Sequence, residues 1–308
     1  MVFDSHVHLV GSGWLHDSFF AGLGKVFANG SGLDPTAITQ QLQELVIDAT
    51  GELLISEMDA ASVDRSCVFA LDYGLLTGEP DVPIAEQNET VARAVQRFPD
   101  RLIGFCSVDP RRPEALELFR RSVEDWGFRG LKLHPASGWF PHDEAFYPLY
   151  EQCSRYRLPL LIHTGGQPGP MKSRCGQPIF IDDVAGLFPD LSIIMAHCGY
   201  GWWEEALMVG SMKPNCFVDF SGWQGTFLTN PTHFYTVLRR ALDTLGPRRV
   251  LFGTDGPYLN GACPVEHWVD AFRTPAPPDS HLRFSREEMA AVLGTNFQAL
   301  VDGAAPQT

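Results

Sequence analysis

The sequence predicts an α/β fold in which parallel strands alternate with helices, and two observations support this prediction. Eight short apolar runs, rich in Val, Ile, Leu and Phe, alternate with amphipathic segments that carry helix start signals. Strands that read as continuous apolar runs are typical of parallel sheets whose faces are covered by helices. Eight such units in a chain of this size fit a (β/α)8 barrel, also called a TIM barrel.

The first predicted strand is the run Phe3–Leu9. The other seven are Cys67–Leu71, Leu102–Val108, Phe128–Leu133, Leu158–Ile162, Leu191–Ala196, Cys216–Phe220 and Val250–Phe252. A doubly wound sheet is the alternative, but no Gly-x-Gly-x-x-Gly motif follows the first strand. We therefore predict one domain over residues 1–308, with residues 9–60 as an insertion after the first strand that elaborates the barrel mouth.

Composition limits the classes of partner and the compartment. The net charge is 23 − 37 = −14, which argues against nucleic acid and against an anionic membrane surface as partners. The seven cysteines form no Cys-x-x-Cys pair, so we expect reduced thiols and a cytoplasmic protein. Asp4 and His6 interrupt the apolar start, so no signal peptide is expected, and no apolar stretch approaches membrane-spanning length. The expected partner is a small-molecule substrate, and a homodimer is left open.

Two histidines in the first strand are separated by a single residue. Side chains at positions i and i+2 of a strand point to the same face, so His6 and His8 project together while Val7 and Leu9 face the other way. Two adjacent imidazoles supply half of a typical zinc site. Histidine pairs also arise by chance on surfaces, so this motif alone leaves both interpretations open.

More polar residues close the later strands. Catalytic side chains of such barrels lie at the C-terminal ends of the strands. Four predicted strands end in His134, His163, His197 and Asp255, each followed within two residues by Gly or Pro. Any one of them has an ordinary explanation, because a histidine can cap a carbonyl group and Asp-Gly-Pro forms turns. Their recurrence at corresponding positions favours one shared site.

The ordered set His6-x-His8, His163, His197 and Asp255 resembles the amidohydrolase superfamily. The resemblance is to the amidohydrolase-related branch that includes aminocarboxymuconate semialdehyde decarboxylase. The phrases similar to that branch are Gly130–Pro135, Ile162–Gly165, Ala196–Gly199, Gly253–Pro257 and Leu293–Phe297. The resemblance extends over nearly the whole chain, which makes the set more specific than any single motif.

The resemblance implies roles for these residues. His6, His8 and His163 are implied to ligate a divalent metal ion, with Asp255 as a further ligand and a base. His197 is implied to act beside the metal as an acid, a base or an electrostatic group. One Zn²⁺ ion is expected, and Mn²⁺ or a second metal ion are the alternatives. Imidazole and carboxylate groups suit zinc, which lowers the pKa of bound water toward ~7.

Lys132 leaves two interpretations open. Strand parity places Lys132 on the same face as His134, so both can point into the barrel. In binuclear members of the superfamily a carboxylated lysine on this strand bridges two metals, but the branch resembled here is mostly mononuclear. We expect one metal, with Lys132 and His134 contacting substrate. A buried ion pair between Lys132 and a carboxylate is the structural alternative.

Two residues of the following loops are further predicted substrate contacts. Trp139 belongs to a set of aromatic residues just past the strand ends, and such side chains can line an apolar pocket or pack between loops. Arg174 lies in the long loop 165–177, where a cation can meet a substrate carboxylate or remain in solvent.

Two reactions use such a constellation. In hydrolysis, a metal-activated water attacks a lactone, an amide or a related bond of a small cyclic or carboxylate-bearing substrate. In non-oxidative decarboxylation, an aromatic or unsaturated carboxylic acid loses carbon dioxide. The resemblance of the Lys-Leu-His-Pro phrase favours hydrolysis, with decarboxylation as the alternative. A barrel that keeps its metal but lacks catalysis is a third hypothesis, and the intact ligand set argues against it.

Overall fold

The computed structural model describes residues 1–29 and 32–303. Its strands are parallel and follow one another in chain order around a barrel. They are β1 (Phe3–His8), β2 (Arg65–Phe69), β3 (Leu102–Gly104), β4 (Cys106–Ser107), β5 (Leu131–Leu133), β6 (Leu160–Ile162), β7 (Ile193–Met195), β8 (Cys216–Asp219) and β9 (Val250–Leu251). Each strand pairs with the next in parallel register, except that β3 and β4 are two halves of one strand.

Helices connect the strands and cover the outside of the barrel. They are α1 (Asp17–Ala28), α2 (Pro35–Leu45), α3 (Glu52–Ala61), α4 (Gly74–Thr77), α5 (Ile84–Arg97), α6 (Ala115–Glu124), α7 (Tyr147–Tyr156), α8 (Phe180–Leu187), α9 (Trp203–Met212), α10 (Gln224–Thr229), α11 (Pro231–Leu245), α12 (Val265–Arg273), α13 (Arg286–Ala290) and α14 (Asn296–Val301). A π-helical turn, Ala291–Thr295, joins α13 to α14. None of the helices in the described part of the chain is long and apolar enough to cross a membrane.

The third strand is divided because it turns from one neighbour to the other. The backbone N–H of Phe105 donates to the carbonyl of Val68 on β2, whereas that of Cys106 donates to Gly130 next to β5. The predicted run Leu102–Val108 therefore serves as one strand with two pairing partners. Counted in this way, the described residues form eight strand positions.

Hydrogen bonds between the first strand and the end of the last one close the barrel. The N–H of Ser5 donates to Phe252 O at 3.0 Å, and the N–H of His8 donates to Gly256 O at 2.8 Å. Between these two bonds, Asp255 N–H donates to His6 O at 2.9 Å. The (β/α)8 barrel predicted from the sequence is confirmed.

Alternation along the strands sorts the side chains into two layers. Outward residues such as Leu131, Leu133 and Ile162 pack against the surrounding helices. Inward residues form a separate apolar cluster at the bottom of the barrel, to which α14 contributes Phe297 and Leu300. One step higher along several strands, the inward side chains become polar. This layer carries the candidate site.

The predicted elaboration of residues 9–60 consists of two different parts. Helices α1 and α2 belong to a third apolar cluster, which lies over the barrel mouth. In this cluster Phe19 and Phe20 of α1 pack with Val46, the residue after α2. Helix α3 instead buries Leu54 and Met58 in the main core, as the barrel's own first outer helix. A break at residues 46–51 separates the two parts. Residues 30 and 31 of the predicted elaboration lie outside the described residues.

Helix α1 lies directly against the loop that follows β6. At Gly22 an added Cβ would overlap the carbonyl oxygen of Gly169. Glycine at this position therefore lets α1 approach the loop closely enough to cover the barrel mouth.

We predict that Gly22→Ala destabilises the protein, although alanine ordinarily stabilises a helix by about 1 kcal/mol over glycine. The overlap with Gly169 should lower the free energy of unfolding by about 1–3 kcal/mol, measured by urea denaturation. Gly225→Ala in α10 is the matched control, because an added Cβ there meets no described atom within 4 Å. Equal stability of the Gly22→Ala variant and wild type would contradict the close contact.

Candidate metal centre

The C-terminal ends of five strands bring their polar side chains to one place inside the barrel mouth. These side chains belong to His6, His8, Lys132, His134, His163, His197 and Asp255, and all of them line a single cavity. All are buried except the Asp255 side chain, which is 21% exposed. The structure thus brings together every metal-ligand and catalytic residue that the sequence predicts, along with Lys132 and His134.

His6, His8 and Asp255 form a group that could hold a metal ion. Asp255 Oδ1 lies 2.9 Å from His8 Nε2 and 3.4 Å from His6 Nε2. Neighbouring ligands of one ion, each bound at about 2.1 Å, are themselves roughly 3–4 Å apart. Two nitrogen atoms and one carboxylate oxygen therefore stand at distances that fit a divalent cation.

Asp219 and Ser221, at the end of β8, orient His6. Asp219 Oδ2 lies 3.1 Å from His6 Nδ1, and Ser221 Oγ lies 3.1 Å from the same nitrogen. An ionised carboxylate only accepts hydrogen bonds, so His6 Nδ1 carries the proton and Nε2 keeps its lone pair. A carboxylate behind a metal-binding histidine is a recurrent arrangement that fixes the tautomer and the ring orientation.

His163 is oriented in a similar way through His197. His197 Nδ1 faces the carbonyl oxygen of Ser221 at 3.1 Å, so this nitrogen carries a proton, and its Nε2 accepts from His163 Nδ1 at 3.0 Å. His163 Nε2 is then an unprotonated nitrogen, buried and without a partner among the described residues. An orphaned imidazole nitrogen facing this cavity fits the role of a further metal ligand.

Lys132 places a positive charge against the same ligands. Its Nζ lies 3.0 Å from His6 Nε2 and 4.8 Å from the centre of the Phe69 ring. Burial lowers the pKa of Lys132 to about 8, and the charges of Asp219 and Asp255 oppose this shift. His6 Nε2 therefore accepts a hydrogen bond from a cationic group, and it does so through the lone pair that would bind a metal ion.

Burial also sets the protonation states of the proposed ligands. It lowers the pKa of His6, which Lys132 lowers further, and it lowers the pKa of His8 and His163. Burial would raise the pKa of Asp255, but His197 and His8 outweigh it and hold this pKa below its usual range. Neutral imidazoles and an ionised carboxylate are the forms that bind metals.

Two site residues have a backbone conformation that L-residues rarely adopt. His197 has φ 60° and Asp255 has φ 57°, both in the left-handed region. Such conformations cost free energy and are concentrated at functional sites. Each one turns the chain sharply after its strand, which directs the side chain toward the barrel axis.

The cavity above these residues has a volume of about 240 Å³. Helix α1 supplies an apolar roof through Phe19, Leu23, Val26 and Phe27. Its remaining walls include the three tyrosines Tyr73, Tyr200 and Tyr258 and the loop Gly166–Pro168. The polar groups are thus gathered on the floor and the apolar groups on the roof.

Two predicted substrate contacts do not reach this cavity. Trp139 is 4% exposed, packs against Phe146 with ring centres 5.1 Å apart, and donates its indole N–H to Ser137 Oγ. It therefore fills the core between loop and barrel. Arg174 is exposed on a short 3₁₀-helix, Ser173–Gly176. The loop 165–177 instead contributes Gln167 and Pro168 to the cavity.

Four site residues were not predicted from the sequence. These are Asp219 and Ser221, which orient the histidines, and Tyr73 and Tyr258, which line the cavity. A signal for Asp219 exists, because it lies two residues after the inward Phe217 and so shares its face. The tyrosines follow strand ends in loops, where the sequence carries no comparable periodicity.

Comparisons with known proteins identify the family of this chain. The family pattern described as amidohydrolase matches residues 3–302. A 2-keto-4-carboxy-3-hexenedioate hydratase of a Sphingobium species is 26% identical over 56% of this chain and 58% of its own length. A gamma-resorcylate decarboxylase of Rhizobium radiobacter is 26% identical over 79% of this chain and 86% of its own.

One solved structure relates the fold to a metal-bound enzyme. It is a 5-carboxyvanillate decarboxylase of Novosphingobium aromaticivorans, with bound manganese and a nitrobenzoic acid. Its TM-score is 0.69 and its sequence identity 17%, with 98% of this chain and 97% of that chain covered. At this identity the likeness shows the shared fold.

We predict that Lys132→Met raises the affinity for Zn²⁺ or Mn²⁺ about tenfold, which corresponds to about 1.4 kcal/mol. The substitution removes a cation that competes with metal for His6 Nε2. Competition titration against a chromophoric chelator gives the affinity, elemental analysis gives the number of ions, and Lys213→Met on the surface is the control. A weaker affinity with one ion instead of two would indicate a carboxylated, bridging Lys132.

Asp219→Asn is predicted to weaken metal binding by about 10- to 100-fold. The amide can present an N–H to His6 Nδ1, which would force the proton onto Nε2, the nitrogen that faces the metal. The same competition titration measures the effect, and Asp182→Asn, which breaks a half-exposed ion pair with Lys213, is the control. An affinity equal to wild type would mean that Asp219 does not orient His6.

Proposed function

The chain belongs to the amidohydrolase family, and from this membership we propose that it is a metal-dependent decarboxylase of a small aromatic or unsaturated carboxylic acid. The observation that carries the proposal is the division of the cavity into a polar floor and an apolar roof. A planar acid fits such a cavity with its carboxylate on the floor and its carbon frame under α1. The matched decarboxylase of Rhizobium radiobacter, aligned over most of its length, supports the same reaction.

We propose that His6, His8, His163 and Asp255 hold one divalent ion. The ion would supply positive charge that holds the substrate carboxylate and a neighbouring oxygen, and manganese in the related structure supports Mn²⁺ beside Zn²⁺. Lys132 and His134 are the proposed substrate contacts from this chain. Lys132 contributes a buried cation, and His134 Nδ1 has no partner among the described residues.

Decarboxylation requires a proton from the protein. The bond between carbon and the carboxylate breaks, carbon dioxide leaves, and the electron pair that remains on carbon takes up one proton. We propose that Asp255 relays this proton: its carboxylate, which is ionised at rest, takes up a proton from water or from a hydroxyl group of the substrate and passes it to the carbon. His197 is proposed to assist by holding His163 through the bond between His197 Nε2 and His163 Nδ1.

Hydrolysis, the reaction that the sequence favours, has less support. The relatives reported above are decarboxylases and a hydratase, so decarboxylation, the alternative, is the better interpretation. Hydration is the second candidate because of the Sphingobium relative. The substrate name of that enzyme describes three carboxylates. Among the described residues that line the cavity, Lys132 is the one lysine or arginine, which favours a substrate with a single carboxylate.

The test is carbon dioxide release from a panel of benzoic, hydroxybenzoic and unsaturated acids by protein loaded with Zn²⁺ or Mn²⁺. We expect release that a chelator abolishes and added metal restores. Asp255→Asn should reduce the rate at least about a thousandfold, because it removes both a ligand and the proton donor. Asp182→Asn is the control and should retain the wild-type rate.

Other outcomes identify the competing hypotheses. Proton release from lactones or amides without carbon dioxide would show hydrolysis. Loss of an unsaturated acid by addition of water, seen by mass spectrometry, would show hydration. Tight metal binding without turnover on any of these panels would favour the non-catalytic barrel.

A further inference from the structure

Tyr258 holds a buried hydroxyl group that nothing in the described structure explains. The residue follows Asp255-Gly256-Pro257 and lines the cavity of the metal centre. Its ring packs against His8, with ring centres 5.4 Å apart, and against Phe19 at 6.0 Å. Its Oη atom is buried and has no hydrogen-bond partner among the described residues.

Two buried tyrosines elsewhere in the chain satisfy their hydroxyl groups. Tyr150 donates to Pro141 O at 2.9 Å, and Tyr235 donates to Ala271 O at 3.1 Å. A buried hydroxyl without a partner loses its hydrogen bonds to water and gains none in return. Phenylalanine would fill the same space under α1 without this cost, so the hydroxyl itself requires an explanation.

Other buried polar atoms of this cavity also lack a hydrogen-bond partner, and they indicate a role for the Tyr258 hydroxyl in binding a ligand. Four residues that line it, within the described chain, have a buried polar atom without a partner: His8, His134, His163 and Tyr258. The proposed roles of His134 and His163, as a substrate contact and a metal ligand, account for their nitrogens, whereas the unpartnered atom of His8 is Nδ1 and not the Nε2 that faces Asp255. Tyr258 differs because its Oη, a weak metal ligand when protonated, is suited to donate a hydrogen bond to an uncharged or anionic oxygen.

We propose that the Tyr258 hydroxyl donates a hydrogen bond to a ring oxygen of the substrate, and so selects hydroxylated aromatic acids over unsubstituted ones. The inference rests on the proposed function, since it takes the carboxylate to be held on the cavity floor. The ring oxygen is then a second polar group of the substrate, which lies under the apolar side chains of α1. The phenolic hydroxyl group of a tyrosine can donate its proton in a hydrogen bond, and Tyr258 has this donor free.

The specificity arises because the Tyr258 hydroxyl stays unpaired when the substrate lacks a ring oxygen. An unsubstituted benzoate would cover the Tyr258 hydroxyl without pairing it, whereas a suitably placed hydroxyl or phenolate oxygen accepts from it. Sites built to pair with a substrate oxygen discriminate strongly against the analogue that lacks it. The same geometry makes Tyr258 a specificity-determining residue rather than a proton donor to carbon.

The test compares affinities of the metal-loaded protein for benzoate and for 2-, 3- and 4-hydroxybenzoate by calorimetry. We expect wild type to bind at least one hydroxybenzoate about tenfold more tightly than benzoate. Tyr258→Phe should remove this preference and leave the affinity for benzoate unchanged. Loss of the preference together with an equal loss for benzoate, or a preference that survives the substitution, would overturn the inference.

Stability measurements provide a second readout and a matched control. Tyr258→Phe should not lower the unfolding midpoint, because no protein hydrogen bond is lost. Tyr150→Phe, which deletes a bonded hydroxyl far from the cavity, should lower the midpoint and retain the wild-type preference among the benzoates. A fall in the midpoint of Tyr258→Phe as large as that of Tyr150→Phe would show that the hydroxyl has a structural partner, and would overturn the inference.

The outcome is separable from that of the proposed reaction. A hydroxybenzoate preference that depends on Tyr258, without carbon dioxide release, would refute decarboxylation and support the role of Tyr258. Carbon dioxide release with an unchanged preference in Tyr258→Phe would support decarboxylation and refute the role of Tyr258.

Discussion

The pairing of the first strand with the end of the last one is the constraint on which the site depends. Asp255 N–H donates to His6 O, and His8 N–H donates to Gly256 O. These bonds join segments that are almost 250 residues apart, and they bring the Asp255 carboxylate against the imidazoles of His6 and His8. A barrel that did not close here would leave Asp255 on one edge of the sheet and His6 and His8 on the other. The candidate metal centre is therefore a product of barrel closure as much as of the side chains.

The second requirement is that the buried imidazoles of His6 and His163 be held by their other nitrogen, Nδ1. Asp219 occupies His6 Nδ1, and His197 occupies His163 Nδ1, so both Nε2 atoms are left with lone pairs that face the cavity. Ser221 connects the two systems, because its Oγ approaches both His6 Nδ1 and His197 Nδ1. Strand β8 thus sets the protonation pattern of residues on β1, β6 and β7, although it contributes no proposed ligand itself.

The sequence predicts those parts of the structure that follow the alternation of a strand or that recur at the end of each strand. The alternation of strands predicts that Lys132 points inward beside His134, and the strand ends predict His163, His197 and Asp255. Trp139 shows where such reasoning stops: it follows the turn Pro135–Ser137, after which parity no longer applies, and it packs into the core. Likewise, no pattern could show that α1 rather than the loop carrying Arg174 covers the cavity, because that depends on tertiary packing at Gly22.

The apolar side chains of α1 over the cavity also limit which substrates the polar residues beneath them can act on. A cluster of neutral imidazoles and one carboxylate can assist several reactions, so the floor alone does not separate hydrolysis, hydration and decarboxylation. Apolar side chains from α1 leave room for a flat carbon frame and supply no cation for additional carboxylates. Loss of carbon dioxide from a monoacid leaves an uncharged product under the side chains of α1, whereas a polyacid would lose solvation there without gaining a partner. The combination of polar residues below and apolar side chains above therefore favours a reaction that removes the single carboxylate that the polar residues can hold.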